Sequence, residues 1–102
     1  MSGRRILIVD DESQIRRVLR TALASRGYEV AEARTGEEAV ECVREAAFDL
    51  VLLDIHMPGI GGMRACRQIR NVSDAAVIMV TVRNAESDKV SALDAGADDY
   101  VT

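Results

Sequence analysis

Lysine is nearly absent from this 102-residue chain: Lys89 is the only one, and arginine supplies the rest of the positive charge. Cysteine occurs twice and proline once. Cys42 and Cys66 have no CxxC spacing and no histidine nearby, and each falls inside a helical pattern. That argues against a metal or redox pair and for small, reduced packing residues, as in a cytosolic protein. Long hydrophobic runs are missing as well; none approaches the roughly 20 residues that span a bilayer. The apolar run behind Arg4-Arg5 stops too soon for a secretion signal. The expected location is the cytoplasm, with no membrane contact. Positive charge is in deficit overall. A formal net charge of -4 argues against direct nucleic-acid binding by this domain, while leaving open a separate DNA-binding domain that follows it.

What is present suits one ordinary folded domain over residues 1–102. Hydrophobic residues make up 48% of the chain and charged residues 29%, which excludes disorder. A chain of this length buries roughly 65% of the surface its unfolded form exposes. Five strand-length apolar runs occur: RILIVD at 5–10, YEVAEA at 28–33, DLVLLD at 49–54, AVIMVT at 76–81 and DDYVT at 98–102. The first, third and fourth are β-branched and apolar almost throughout, as expected of strands covered on both faces. The second alternates, which suits a place nearer an edge.

Helical patterns separate these runs. Ile15, Val18, Leu19, Ala22 and Leu23 form one apolar stripe, with Arg16, Arg17 and Arg20 on the other face and Gly27 as the stop. A second helix opens on Thr35-Gly36-Glu37-Glu38, a capping box, and turns Ala39, Val40 and Val43 inward. A third, from about Gly62 to Asn71, carries Met63, Cys66 and Ile69. A fourth, from about Ala85 to Ala95, is expected to turn Val90 and Leu93 inward and to end at Gly96. The order βαβαβαβαβ implies an α/β doubly wound parallel sheet, whose ligands gather at the carboxyl ends of the strands.

Those ends are acidic. The first strand runs into Asp10, Asp11 and Glu12, the third ends in Asp54, and the fourth ends in Thr81. Oxygen ligands from three segments, with no local cations, suit a hard divalent cation such as Mg²⁺, which offsets the repulsion among the acids. Asp10 has a plainer alternative as the cap of the first helix. Glu12 reads as an exposed acid favoured by the dipole of the helix start.

The segments ILIVDDES, DLVLLDIHMPGIGG, VIMVT and DAGADDYVT, in that order, resemble the receiver domain of two-component response regulators over residues 5–102. The wording near the end looks most like regulators of the OmpR/KdpE type. The resemblance implies a flavodoxin-like (CheY-like) five-stranded sheet of order 2-1-3-4-5. It implies that Asp54 is the phosphoacceptor for a sensor histidine kinase and that Mg²⁺ is held by Asp11, Asp10, Asp54 and the backbone carbonyl of His56. Thr81 would donate its hydroxyl to the phosphoryl group, and Thr81 and Tyr100 would form the switch; Tyr100 as a plain edge-strand aromatic is the equal alternative. The His56 imidazole is expected in solvent, and the glycines after Pro58 are expected to serve the loop into helix three. Such a domain is not an enzyme in the ordinary sense, although it assists its own phosphorylation and dephosphorylation. Its output is expected to be control of transcription, and a homodimer through the face of helix four and strand five is among the expected partners.

Three departures from the family pattern stand out. The lysine that follows the fifth strand in this family would fall just past Thr102, and Lys89 cannot replace it from within the fourth helix. The fifth helix is lacking too. A C-terminally incomplete receiver should therefore expose apolar surface, and should bind Mg²⁺ better than it switches. Val82 takes a place that is usually small, and Gly61 replaces a common aspartate, so helix three should start with a weaker cap. The rival of a different class is a pseudo-receiver, an interaction module not regulated by phosphate. Among enzymes, an FMN-binding flavodoxin would have its phosphate repelled by DDES. A haloacid-dehalogenase-type phosphatase would need a second acid where His56 stands.

Overall fold

The computed structural model describes residues 3–55, 57, 59–80 and 86–101. Strands β1 (Arg5–Val9), β2 (Glu29–Ala33), β3 (Leu50–Asp54), β4 (Ala76–Val80) and β5 (Asp99–Val101) alternate with helices α1 (Ser13–Ala24), α2 (Gly36–Glu45), α3 (Gly61–Val72) and α4 (Glu86–Asp94). All strand pairs are parallel, and the sheet order is β2-β1-β3-β4-β5. The alternating strand is at the edge, as its sequence implies. The order reverses at β1, which has β2 on one side and β3 on the other. Their carboxyl ends therefore open a crevice between diverging connections, the place where this topology puts ligands.

The register Leu7↔Val51↔Val77 and Val9↔Leu53↔Met79 aligns two rows of side chains across three strands. All six are fully or almost fully buried, and they share one core with Ala39, Val40 and Val43 of α2 and with Ala65, Cys66 and Ile69 of α3. Burial of each large aliphatic side chain in such a row contributes roughly 1.5–3 kcal/mol. Cys66 is a packing residue here, and both cysteines are free thiols. Burial, the largest influence on each, raises both thiols above their ordinary range.

The opposite face is different, and it corrects the expectation that β3 and β4 are covered on both sides. Leu50, Leu52, Ile78 and Val80 are only half-buried. Ile6 and Ile8 are sheltered, yet no residue of α1 is itself buried. Val18, placed in the inward stripe by its spacing, is 67% exposed. Among the described residues α1 is the only helix on this face, so its stripe meets β1 and β2 and overhangs the rest.

Helix α4 also departs from expectation. Val90 is 57% exposed and Leu93 45%, while Ala92 and Ala95 are buried. Periodicity placed the larger residues inward, but the helix turns its alanines to the core instead. Its end is a left-handed turn: Gly96 has φ of 105°, and Ala97 N–H donates to Ala92 O at 3.1 Å. Arg70 of α3 secures this turn. Its Nε and Nη1 donate to the carbonyls of Gly96 and Ala75, each at 2.6 Å, and its Nη2 pairs with Asp98. The same Asp98 carboxylate accepts from Val77 N–H at 2.7 Å, joining α3, β4 and the approach to β5.

Candidate metal centre

The site begins with how β1 stops. The Asp10 N–H still donates to Ala33 O of β2 at 3.1 Å, as a strand residue would. The chain then turns, and Asp10 Oδ1 accepts from Glu12 N–H at 2.9 Å. This is an Asx-type turn, which lets a short acidic side chain direct the path into α1. Glu12 is the N-cap of α1 by backbone position. Its side chain makes no cap bond and is exposed, so it stands at the threshold of the helix and not inside the first turn. The alternative reading of Asp10 as the cap of α1 does not hold, because Glu12 takes the N-cap position and Asp10 shapes the turn before it.

Asp54 closes β3, the strand next to β1. One carboxylate oxygen from each of Asp10, Asp11 and Asp54 lies within 4.8 Å of the other two. Asp10 and Asp54 are half-buried, and Asp11 is exposed at the mouth. Two full charges at 4–5 Å repel by roughly 3–4 kcal/mol at an effective dielectric near 20, and by less where water reaches Asp11. Asp10 registers this crowding. Its carboxyl is raised above the ordinary aspartate value, first by burial and then by the charges of Asp54 and Asp11, while the bond from Glu12 N–H opposes the rise.

The donor set fits a hard cation. Mg²⁺ takes oxygen at about 2.0–2.1 Å in an octahedron, so its ligands lie roughly 3–4 Å apart, a spacing these carboxylates can meet with small rotations. Two or three carboxylates leave room for waters and a further oxyanion, as that ion prefers. Among the described residues this is the one such cluster of metal-ligating side chains.

The expectation of no local cation needs correcting. Arg16 Nη1 donates to the Asp10 backbone carbonyl at 2.7 Å, and Arg16 Nε to Glu32 of β2 at 3.1 Å. Arg20 pairs with the same Glu32. The guanidinium thus braces the peptide behind the site while it pairs with Glu32. Pairing over 16 residues of sequence has no local signature, and only the sheet order could have suggested it. His56 and Thr81, expected as carbonyl ligand and hydroxyl donor, lie outside the described residues, as does Val82. Tyr100 is in β5, opposite Met79 in register. Helix α3 starts without a side-chain cap, as the glycine at 61 implied.

Comparison with known proteins identifies the group to which this arrangement belongs. Residues 6–102 match the family model of the response regulator receiver domain. The transcriptional regulatory protein ResD of Bacillus subtilis is 45% identical over 97 residues, covering 95% of this chain and 40% of ResD. The chain thus spans about two fifths of that curated relative. Response regulator TrrA from Thermotoga maritima, solved in complex with Mg²⁺-BeF, shares 42% identity with a TM-score of 0.88, over 98% of this chain and 86% of TrrA. A CheY-like receiver protein from Methanospirillum hungatei shares 35% identity with a TM-score of 0.93, over 98% of this chain and 81% of its own. Among the described residues no helix is long and apolar enough to cross a membrane. With this sheet order, this acidic crevice and a match over nearly its whole length, the chain belongs to the receiver domains of two-component response regulators.

Proposed function

We propose that this receiver accepts a phosphoryl group on Asp54 from the phosphohistidine of a sensor histidine kinase and passes the change to an output such as transcription. The observation that carries the reading is the convergence of Asp10, Asp11 and Asp54 within 4.8 Å at the crevice between β1 and β3. A carboxylate is a weak nucleophile, so positioning and charge neutralisation supply the help. An Asp54 oxygen attacks phosphorus, the P–N bond breaks, and its electron pair stays on the imidazole nitrogen, giving an aspartyl phosphate. Asp10 and Asp11, with Asp54, would hold Mg²⁺. When bound, the ion neutralises charge on the carboxylates and on the phosphoryl oxygens. The metal-bound TrrA structure supports that assignment. The roles of the His56 carbonyl as ligand, Thr81 as hydroxyl donor and Tyr100 as switch rest on the family resemblance.

The domain acts as a cytoplasmic switch that assists its own phosphorylation and dephosphorylation, and not as an enzyme in the ordinary sense. The length of ResD and its description as a transcriptional regulator support a DNA-binding output beyond this domain. The exposed Val90 and Leu93 on α4 support a homodimer through the α4–β5 face. The added charge and acceptor oxygens on Asp54 would bias a small repacking toward that face.

Titration with Mg²⁺ tests the site. The amides of Asp10, Asp11 and Asp54 should shift with a common midpoint, and a small phosphodonor should then label Asp54 with a hydroxylamine-sensitive phosphate. The Asp54→Asn variant should take no label. Amides indifferent to saturating Mg²⁺, with no label on Asp54, would instead mark an interaction module not regulated by phosphate.

A further inference from the structure

Helix α3 is set against the strand that ends in Asp54 more tightly than any side chain would permit. An ideal Cβ at Gly62 would lie 2.3 Å from the Asp54 carbonyl oxygen, 2.7 Å from Ile55 Cα and 3.0 Å from the Asp54 carbonyl carbon. All three are backbone atoms of the residue that carries the site and of the one after it. The contact is also tied, because Gly62 N–H donates to Ile55 O at 3.1 Å. Gly62 is buried and helical, and Gly61, whose φ is 76°, supplies the left-handed turn before it. The absence of Cβ at Gly62 is therefore a matter of space, whereas at Gly61 it is a matter of backbone angle; a Cβ at Gly61 would meet nothing within 4 Å.

We infer that Gly62 is a positioning residue for Asp54, and that the first turn of α3 is the wall against which the Asp54–Ile55 peptide is set. This rests on the reading of Asp54 as a metal ligand and phosphoacceptor. Asp54 is the last residue of β3. It is in register with Val80 of β4, while the pairing of β3 with β1 ends one residue earlier, at Val9↔Leu53. The peptide that follows Asp54 thus lies beside β4, with the first turn of α3 packed and hydrogen-bonded against it. A methyl group at 62 would force a separation of about half an ångström or more, and the small, octahedral Mg²⁺ site tolerates little displacement of a ligand.

Gly36 supplies the control. A Cβ there would also be crowded, at 2.8 Å from Ile60 Cγ1, 3.0 Å from Ala65 Cβ and 3.2 Å from Gly61 O, but none of these nearest atoms belongs to Asp54 or Ile55. Gly62→Ala and Gly36→Ala should both lower thermal stability. In the metal-free proteins, Gly62→Ala alone should move the Asp54 and Ile55 amide resonances strongly. It should weaken Mg²⁺ binding about tenfold, with Gly36→Ala within about twofold of the parent. Equal effects of the two variants on those resonances and on Mg²⁺ affinity would reduce Gly62 to packing and overturn the inference. A parent protein that ignores Mg²⁺ would refute the metal reading, while the metal-free resonances would still decide the role of Gly62. Should Gly62→Ala fail to fold, the parent protein gives the answer. Its Gly62 amide should follow Mg²⁺ with the same midpoint as Asp54 and Ile55, and a Gly62 signal unmoved at saturation would overturn the proposal.

Discussion

The two faces of the sheet are built on different physics. On the side of α2, α3 and α4, alternate residues of β1, β3 and β4 are sealed from water. On the α1 side Ile6 and Ile8 of β1 are sheltered but their counterparts on β3 and β4 are half-buried, and the helix is fastened through Arg16 and Arg20 to Glu32. One face is held by area removed from water, which has no preferred direction. The other depends more on ion pairs near solvent, which direct a helix but contribute little energy. The contrast explains how α1 can be correctly formed, with a strongly amphipathic sequence, and still bury none of its residues.

Adjacent leucines on β3 give the largest test of that contrast. Leu53 is fully buried in the core, and Leu52 faces the α1 side, half-buried. Leu53→Ala should cost about 3 kcal/mol through lost transfer and a residual cavity. Leu52→Ala should cost about 1 kcal/mol, because its site is already partly hydrated. In thermal unfolding these correspond to roughly 15 and 5 °C. Similar losses from the two would mean that the α1 face is as well packed as the other, and the comparison would fail.

Arginines on the two sides give the next test. Arg70 serves two backbone carbonyls and Asp98, and its partners belong to a turn and two strand starts. Arg70→Met should cost about 2 kcal/mol, since the carbonyls of Gly96 and Ala75 lose charged donors and water replaces them only in part. Hydrogen exchange should rise most at Ala97 and Asp98, whose N–H groups bond to Ala92 and Val77. Uniform acceleration across all strands would show general destabilisation and no local clasp.

Legibility in the sequence followed the range of each interaction. Strand and helix order were readable because the periods of burial are local, and Thr35 caps α2 as its capping-box spacing implies, accepting from Glu38 N–H at 3.1 Å. Asp10, Asp11 and Asp54 were readable together because parallel strands bring their carboxyl ends to one edge. Val90 and Leu93 were misplaced because periodicity registers which residues are apolar and not which of them the docked helix covers; α4 buries Ala92 and Ala95 instead. Gly62 read as a loop glycine because nothing nearby in the chain reveals that the Asp54 backbone abuts it. The acidic partners of Arg16 and Arg70, Glu32 and Asp98, are likewise 16 and 28 residues away and become visible only once the helices are docked.

The smallest effect isolates the ion pairs of the α1 face. The Glu32 carboxyl is held below its ordinary value, chiefly by the hydrogen bond from Arg20 and further by Arg16, against a smaller opposing effect of burial. A carboxylate whose pKa is lowered on folding contributes stability that is fully present above its unfolded pKa and is lost as pH falls through the folded value. Glu32→Gln should therefore cost about 0.5–1 kcal/mol near neutral pH, where two guanidinium partners are lost, and nearly nothing in strong acid, where the parent carboxyl is protonated as well. Thermal melts of parent and variant should be separated at pH 7 and converge only once the pH falls below the ordinary glutamate range. Raising the salt should narrow the neutral-pH gap, because both pairs lie within reach of solvent. A gap of constant size across that range would mean that Glu32 acts by shape and not by charge, and the α1 face would then be held by packing like its opposite.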